Sequence, residues 1–184
     1  MKRYILTGTP GAGKTSVIRE LAALGHRVVE EAATAVIARE QALGDAHPWT
    51  REHFVDSVVA LQRQRQQQSE AAAAGADVEF YDRSPICTHA LATYLGRPVP
   101  PALVAEIERI TREQVYQRQV FFVRNLGFCE PTAARRIGFQ ESLVFERVHE
   151  ESYLAFGYEL VPVPAGELGE RVAAITAAVS WPTA

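Results

Sequence analysis

The sequence predicts an α/β fold: a five-stranded parallel sheet covered by helices on both faces. Three observations carry that expectation. Five short apolar runs rich in β-branched and aromatic residues alternate with segments of helical period. A glycine-rich turn joins the first of these strands directly to a helix. Finally, the 184 residues suit one compact core, and no linker is long enough to divide them. We therefore expect a single domain over residues 1–184.

The first strand is Arg3 to Thr7, a run that stops at Gly8. A helix follows from Lys14, with Val17, Ile18, Leu21 and Leu24 on one side and Gly25 ending it. His26 to Glu30 is the second strand, and the alanine-rich Glu31 to Leu43 is helical up to Gly44. Pro48 interrupts the chain, and Thr50 is placed to cap a helix carrying Phe54, Val58, Leu61 and Arg65, which stops at Gly75. Val78 to Tyr81 forms the third strand. Ser84-Pro85 then has the order of an N-cap followed by proline at the first helical position.

Gly96 to Pro101 breaks the chain again. Leu103, Ile107 and Ile110 mark the next amphipathic helix, supported by Glu108 and Arg112 four residues apart. Val120 to Val123 is the fourth strand, and a turn-rich loop covers about 125–138. Phe139 to Phe156 is helical, Tyr158 to Val163 is the fifth strand, and the last helix spans about Glu167 to Val179.

Composition excludes several classes. At 47% hydrophobic and 22% charged, the chain is neither disordered nor fibrous. A formal net charge of -3 supplies no general attraction for nucleic acid, so no nucleic-acid partner is expected. The run Tyr4-Ile5-Leu6 after the basic start is too short for a signal peptide, and no apolar stretch reaches membrane-spanning length. A cytoplasmic protein with no membrane span is the expectation. The two cysteines, Cys87 and Cys129, lack metal-ligand spacing and read as reduced thiols.

The most specific feature is Gly8-Thr9-Pro10-Gly11-Ala12-Gly13-Lys14-Thr15, followed by Ser16, which fits G-x-x-x-x-G-K-[ST] at every position. The glycines allow consecutive amides to turn inward around phosphate oxygens. Lys14 neutralises the terminal phosphates, and the Thr15 hydroxyl is placed to ligate Mg²⁺. The helix starting at Lys14 points its positive end at the anion. A random chain of this length would match only ~0.5% of the time. The reading is therefore a P-loop NTPase three-layer sandwich that binds ATP, with GTP as the alternative, together with Mg²⁺.

Four other places hold candidate chemistry. Asp82, at the end of the third strand, is positioned to hold Mg²⁺ or its water, or alternatively to cap the next helix or pair with Arg83. Arg83 either stabilises charge on a phosphoryl group or makes a structural ion pair. Glu30 and Glu31 close the second strand, and alternation turns one of them toward the phosphate cleft, where a carboxylate can accept a proton. We favour Glu31, with two solvated carboxylates as the alternative. Arg135 and Arg136 fall in the lid-like loop, as charge donors to a transferring phosphoryl group or as surface arginines. His89 and His149 read as packed or exposed rather than catalytic, and Trp49 and Trp181 as packing residues.

Taken together, the loop Gly8–Thr15, the segment Val29-Glu30-Glu31-Ala32-Ala33, Asp82-Arg83-Ser84 and the helix from Arg136 to Tyr153 resemble a known group. They resemble the small P-loop proteins grouped as AAA-type ATPases, and are similar to ribosylnicotinamide kinase domains and to nucleoside and nucleoside-monophosphate kinases. The resemblance implies the strand order 2-3-1-4-5. It further implies that Asp82 and Arg83 match the acidic-Arg-Ser motif of deoxynucleoside kinases. Glu31 then corresponds to the base at the end of the second strand, and Arg135 and Arg136 to the lid. By the same analogy the loop at Pro164 to Gly166 touches adenine.

Two departures qualify it. The chain is too short for the helical lid domain of hexameric remodellers, and it has no Asn-Lys-x-Asp guanine-reading motif. Two functions follow from the sequence. One is a kinase that moves the γ-phosphoryl group of ATP to a hydroxyl of a nucleoside-like or similar small acceptor, seated between the second-strand end and the Thr50–Gly75 helix. The other is a nucleotide-dependent ATPase or GTPase switch without a small-molecule acceptor.

Overall fold

A computed structural model describes residues 1–71, 77–128 and 138–180. Five strands, β1 (Lys2–Thr7), β2 (Arg27–Val29), β3 (Val78–Asp82), β4 (Gln119–Val123) and β5 (Glu159–Val163), form one sheet in the order β2-β3-β1-β4-β5. Every pairing is parallel; Leu6 of β1, for example, lies opposite Asp82 of β3 and Phe121 of β4. The five-strand expectation and the strand order both hold. Pro162 in β5 fits because β5 is an edge strand, where a missing N–H leaves no ladder bond unmade.

The helices are α1 (Lys14–Ala23), α2 (Ala32–Ala42), α3 (Phe54–Ala71), α4 (Pro85–Tyr94), α5 (Pro101–Arg112), α6 (Phe139–Ala155) and α7 (Leu168–Ser180). Strand alternation sorts them into two layers. Tyr4, Leu6, Phe80, Phe121 and Val123 point to one face, where α1 supplies Val17 and Leu21 and α7 supplies Val172 and Ile175. Their neighbours Ile5, Tyr81 and Val120 point the other way, onto Val55 and Val59 of α3, Ile86 of α4, Ile107 of α5 and Tyr153 of α6. A separate small cluster of Ala32, Val36, Phe54 and Val58 joins α2 to α3. That cluster sits off the sheet, beyond the end of β2, and forms part of the wall of the site below.

Three local expectations differ from what forms. Thr50 does not cap a long helix. Pro48–Thr50 makes one 3-10 turn, with the Thr50 hydroxyl donating back to the His47 carbonyl, and α3 starts at Phe54. Proline at the start of the turn favours this tight geometry, and the backward bond uses the hydroxyl that a cap would need. Leu24 is exposed, because α1 has already ended at Ala23. In α5 the ion pairs belong to Arg109, which meets Glu106 and Glu113, while Arg112 meets Glu113 rather than Glu108.

Candidate functional site

In an open parallel sheet the ligand crevice lies at the carboxyl ends of the strands, where successive connections leave in opposite directions. Here that point is the end of β1, flanked by β3 and β4. The chain leaves β1 through Gly8, whose φ is +136°. A Cβ there would lie 2.3 Å from the Val123 carbonyl oxygen of β4, so only glycine allows the loop to leave this close to its neighbour. Gly13 closes the loop at φ +80°, and α1 begins without any side-chain cap. Of its first amides, the Ser16 N–H bonds the Gly13 carbonyl at 3.1 Å, while those of Lys14 and Thr15 make no such turn bond among the described residues and are left for an anion.

The loop residues divide in two. Pro10, Gly11, Gly13, Lys14, Thr15 and Ser16 line a cavity of about 620 Å³. Gly8, Thr9 and Ala12 turn inward: Ala12 is fully buried in the core under α1, and the Thr9 carbonyl accepts from Lys14 Nζ at 3.0 Å. Thr15 and Ser16 are exposed. Lys14 is buried, and burial together with the nearby Arg83 guanidinium lowers its pKa to about 8, against the opposing pull of Asp82 and Glu31.

β3 delivers Asp82 and Arg83 to the same cavity, and the β2–α2 junction delivers Glu31. Glu31 stands at the N-cap position of α2 but makes no cap bond. Its carboxylate turns outward instead, meeting Arg83 Nε at 2.5 Å and accepting from the Thr34 hydroxyl at 2.8 Å. Burial alone would raise the Glu31 pKa; Arg83, Lys14 and Thr34 outweigh it and hold the group below its ordinary value. Glu30 does not line this cavity; its carbonyl accepts from Arg65 at 2.7 Å. Arg83 holds φ +75°, a left-handed conformation rare outside glycine, while its backbone N–H donates to the Leu6 carbonyl at 3.0 Å. Its pKa is raised, because Glu31 and Asp82 more than offset the effect of burial.

Asp82 behaves in the opposite sense to Glu31. Burial raises its pKa despite Lys14 and Arg83, and its Oδ1 is buried without a hydrogen-bond partner among the described residues. It does not cap α4; Ser84 does, accepting from the Ile86 N–H. An orphaned carboxylate oxygen and an exposed threonine hydroxyl, Thr15, on one cavity suit a hard cation. Among the described residues no three His, Cys, Asp or Glu side chains cluster for a metal, and Mg²⁺ typically needs no such cage where nucleotide phosphates and waters complete its shell.

The cavity continues beyond Glu31 and Arg83 into a chamber walled by α2, α3, α4 and α6. Ile37, Phe54, Val58, Leu91, Leu95 and Phe145 are among its apolar lining, with Gln62 and Thr88 as polar members. Sequence reasoning located only its α3 side. The α4 and α6 contributions have no motif, and they meet only where the two helices pack against each other in the folded chain. Arg171 was missed as well: it is buried on α7, donates to the Arg124 carbonyl at 3.0 Å, and its Nη1 would lie 2.9 Å from a Cβ on Gly13.

Several other expectations find plain locations. His149 is fully buried on α6, and His89 is half-buried edge-on to Phe156. Trp49 packs beside the α2–α3 cluster. Cys87 is buried between the Thr7 and Tyr153 hydroxyls. Pro164 to Gly166 is exposed and outside the cavity lining. Arg135, Arg136, Cys129, Gly75 and Trp181 lie outside the described residues. No helix among the described residues is long and apolar enough to cross a membrane.

Comparison with solved structures finds the same fold at low identity. Deoxyadenosine kinase from M. mycoides with bound dATP superposes with a TM-score of 0.61 at 15% identity, covering 98% of this chain and 100% of that one. NadR in complex with NAD and AMP-PNP gives 0.67 at 18% identity, covering 97% of this chain but 49% of that one. The deoxyadenosine kinase bound to dCTP gives 0.55 at 16% identity, covering 98% and 99%. No curated protein matches in sequence. The family model described as "AAA domain" matches residues 3–171, which is most of the sequence, and the chain belongs to that AAA domain family.

Proposed function

We propose that this protein is a kinase that transfers the γ-phosphoryl group of ATP to a hydroxyl of a small acceptor. The observation that carries the reading is the continuity of one cavity from the Lys14–Thr15 end of the phosphate loop, past Glu31, Asp82 and Arg83, into the chamber between α2, α3, α4 and α6. A nucleotide-dependent switch needs the loop but no second chamber. A phosphotransferase needs two sites that meet at the transferring phosphorus. The fold shared with deoxyadenosine kinase and NadR supports the same reading.

The residues take the following roles. The loop amides and Lys14 hold the phosphates of ATP, with Thr15 and Asp82 as the oxygen donors for Mg²⁺. When bound, Mg²⁺ supplies charge neutralisation to the phosphates. Glu31 stands where the chamber opens toward the loop and takes the proton of the acceptor hydroxyl. A bond forms between that oxygen and the γ-phosphorus, the bond from the γ-phosphorus to the bridging oxygen breaks, and ADP leaves with that oxygen. Arg83, beside both carboxylates, stabilises charge on the phosphoryl group as it moves. Arg135 and Arg136, matched to the lid by resemblance, are assigned to the same task.

The test is ADP release from Mg·ATP with a panel of nucleosides, nucleoside monophosphates, nicotinamide riboside and simple alcohols, with Lys14→Ala run beside it. Acceptor-dependent release that disappears in Lys14→Ala establishes the kinase. Slow release that no acceptor changes would replace it with the switch.

A further inference from the structure

Resting on the kinase reading, we infer that the acceptor is an uncharged alcohol with an apolar, ring-bearing body, and not a phosphorylated compound. The chamber's charges are all gathered at its mouth. Among the described residues its only cations are Lys14, tied to the Thr9 carbonyl, and Arg83, paired with Glu31. Arg147 of α6 is exposed and outside the cavity lining, Arg39 of α2 pairs with Glu40, and three more arginines near the chamber are held elsewhere. Arg65 donates to the Glu30 carbonyl, Arg97 to the Trp49 carbonyl, and Arg63 pairs with Glu106. Among the described residues, a second phosphate in the chamber would give up water and find no further cation to replace it.

The walls state the rest of the preference. Ile37, Phe54, Val58, Leu91 and Leu95 offer hydrocarbon, and the rings of Tyr94 and Phe145 stand 4.6 Å apart at 34°, forming an aromatic side. The polar groups inside are largely spent on one another. Thr88 donates its hydroxyl to Gln62 Oε1 at 3.3 Å, leaving the Gln62 amide N–H groups as donors. Cys87 Sγ is held between Thr7 Oγ1 and Tyr153 Oη. Among the described residues, apart from the Tyr94 phenol at the half-buried rim, the interior polar side chains Gln62 and Thr88 offer the Gln62 amide N–H groups to a ligand carbonyl and the Thr88 oxygen as an acceptor. A base with several hydrogen-bonding edges would leave groups unmatched and weaken binding. An aromatic or aliphatic alcohol with at most one carbonyl would not.

The probes are 2-(naphthalen-2-yl)ethanol, thymidine and AMP, each titrated into the full chain with Mg·AMP-PNP present and each then offered Mg·ATP. The naphthyl alcohol is expected to bind at least 10-fold more tightly than AMP or thymidine and to be phosphorylated. Leu91→Asp is expected to weaken its binding at least 10-fold, while a melting shift with Mg·ATP reports that the variant is folded. Tighter binding of AMP or thymidine, or transfer to them alone, would overturn the acceptor class and leave the kinase standing. Binding of the naphthyl alcohol that ignores Leu91→Asp would place it outside the chamber and overturn the inference too. Acceptor-independent ADP release across the whole panel would remove the kinase and this inference together.

Discussion

Arg83 Nε and Glu31 Oε1 meet at 2.5 Å across the gap between the ends of β3 and β2, at the boundary between the phosphate loop and the chamber. The pair favours the ionised form of Glu31. If Glu31 takes the acceptor proton, Glu31→Gln keeps the side chain's shape and removes the base. We expect kcat to fall by roughly 100-fold or more, with the KM for Mg·ATP changed little. Arg83→Lys keeps the charge but loses the planar fork that suits both a carboxylate and a phosphoryl oxygen, so kcat falls there also. Steady-state kinetics with an acceptor identified by the ADP-release assay measures both. Full activity in Glu31→Gln would move the base elsewhere.

Lys14 gives a prediction that needs no acceptor. With its pKa near 8 in the free protein, about half the molecules lack the proton at pH 8. Binding a triphosphate favours the charged ammonium, so the missing fraction is taken up from solvent. Calorimetric titration of ATP in buffers of different ionisation enthalpy is expected to report uptake of about half a proton per ATP at pH 8, falling toward zero at pH 6.5 from this residue. Equal proton exchange at the two pH values would mean that Lys14 does not titrate in this range.

How much of this was legible in the sequence differs by kind of residue. The phosphate loop could be read because its constraint is local: the left-handed glycines and the amide-presenting turn require particular residues at fixed spacing. The sheet could be read because each strand holds a short apolar run, and the central strands β1, β3 and β4 are buried by helices on both sides. Glu31 and Glu30 were separable only through strand alternation, and the turn of Glu31 toward Arg83 depends on a residue 52 positions away. The chamber was legible least. Phe54, Leu91 and Phe145 have the helical spacing of ordinary core residues, and only the packing of α3, α4 and α6 around one gap makes them a lining. Arg171 carries no signal either, since a buried arginine on an edge-strand helix looks like a surface one in the sequence.

Asp82 is held in the site at a cost. Its folded pKa is raised by burial, so this residue favours the folded state more as pH falls and opposes it at neutral pH, the reverse of Glu31. Asp82→Asn removes a buried charge whose Oδ1 has no partner. The ligand-free variant is expected to be more stable by roughly 1 kcal/mol, or about 2–4 °C in Tm for a chain of this length. The same change deletes a metal donor, so the extra Tm rise that Mg²⁺ gives over ATP alone is expected to shrink or vanish. Thermal melts with ATP, with and without Mg²⁺, test both halves. A less stable variant that keeps its full Mg²⁺ increment would contradict the assignment.

His149 is expected to make the fold sensitive to acid. Its Nδ1 bonds the Phe145 carbonyl, which can only accept, so the proton sits on Nδ1 and Nε2 is a bare lone pair. That Nε2 is fully buried without a partner among the described residues. Burial, followed by the charges of Arg83 and Lys14, lowers its pKa to about 3. The unfolded chain protonates this ring near pH 6.5, the folded chain does not, and the stability it contributes is therefore complete above pH 6.5 and lost as pH falls toward 3. The expected slope is about 1.4 kcal/mol per pH unit through most of that window. Denaturant unfolding at pH 7.0, 6.0 and 5.0 measures it, and His149→Phe, which cannot take up the proton, is expected to flatten the dependence even if its stability at pH 7 is lower. A variant with the parent's slope would show that other groups set the acid limit.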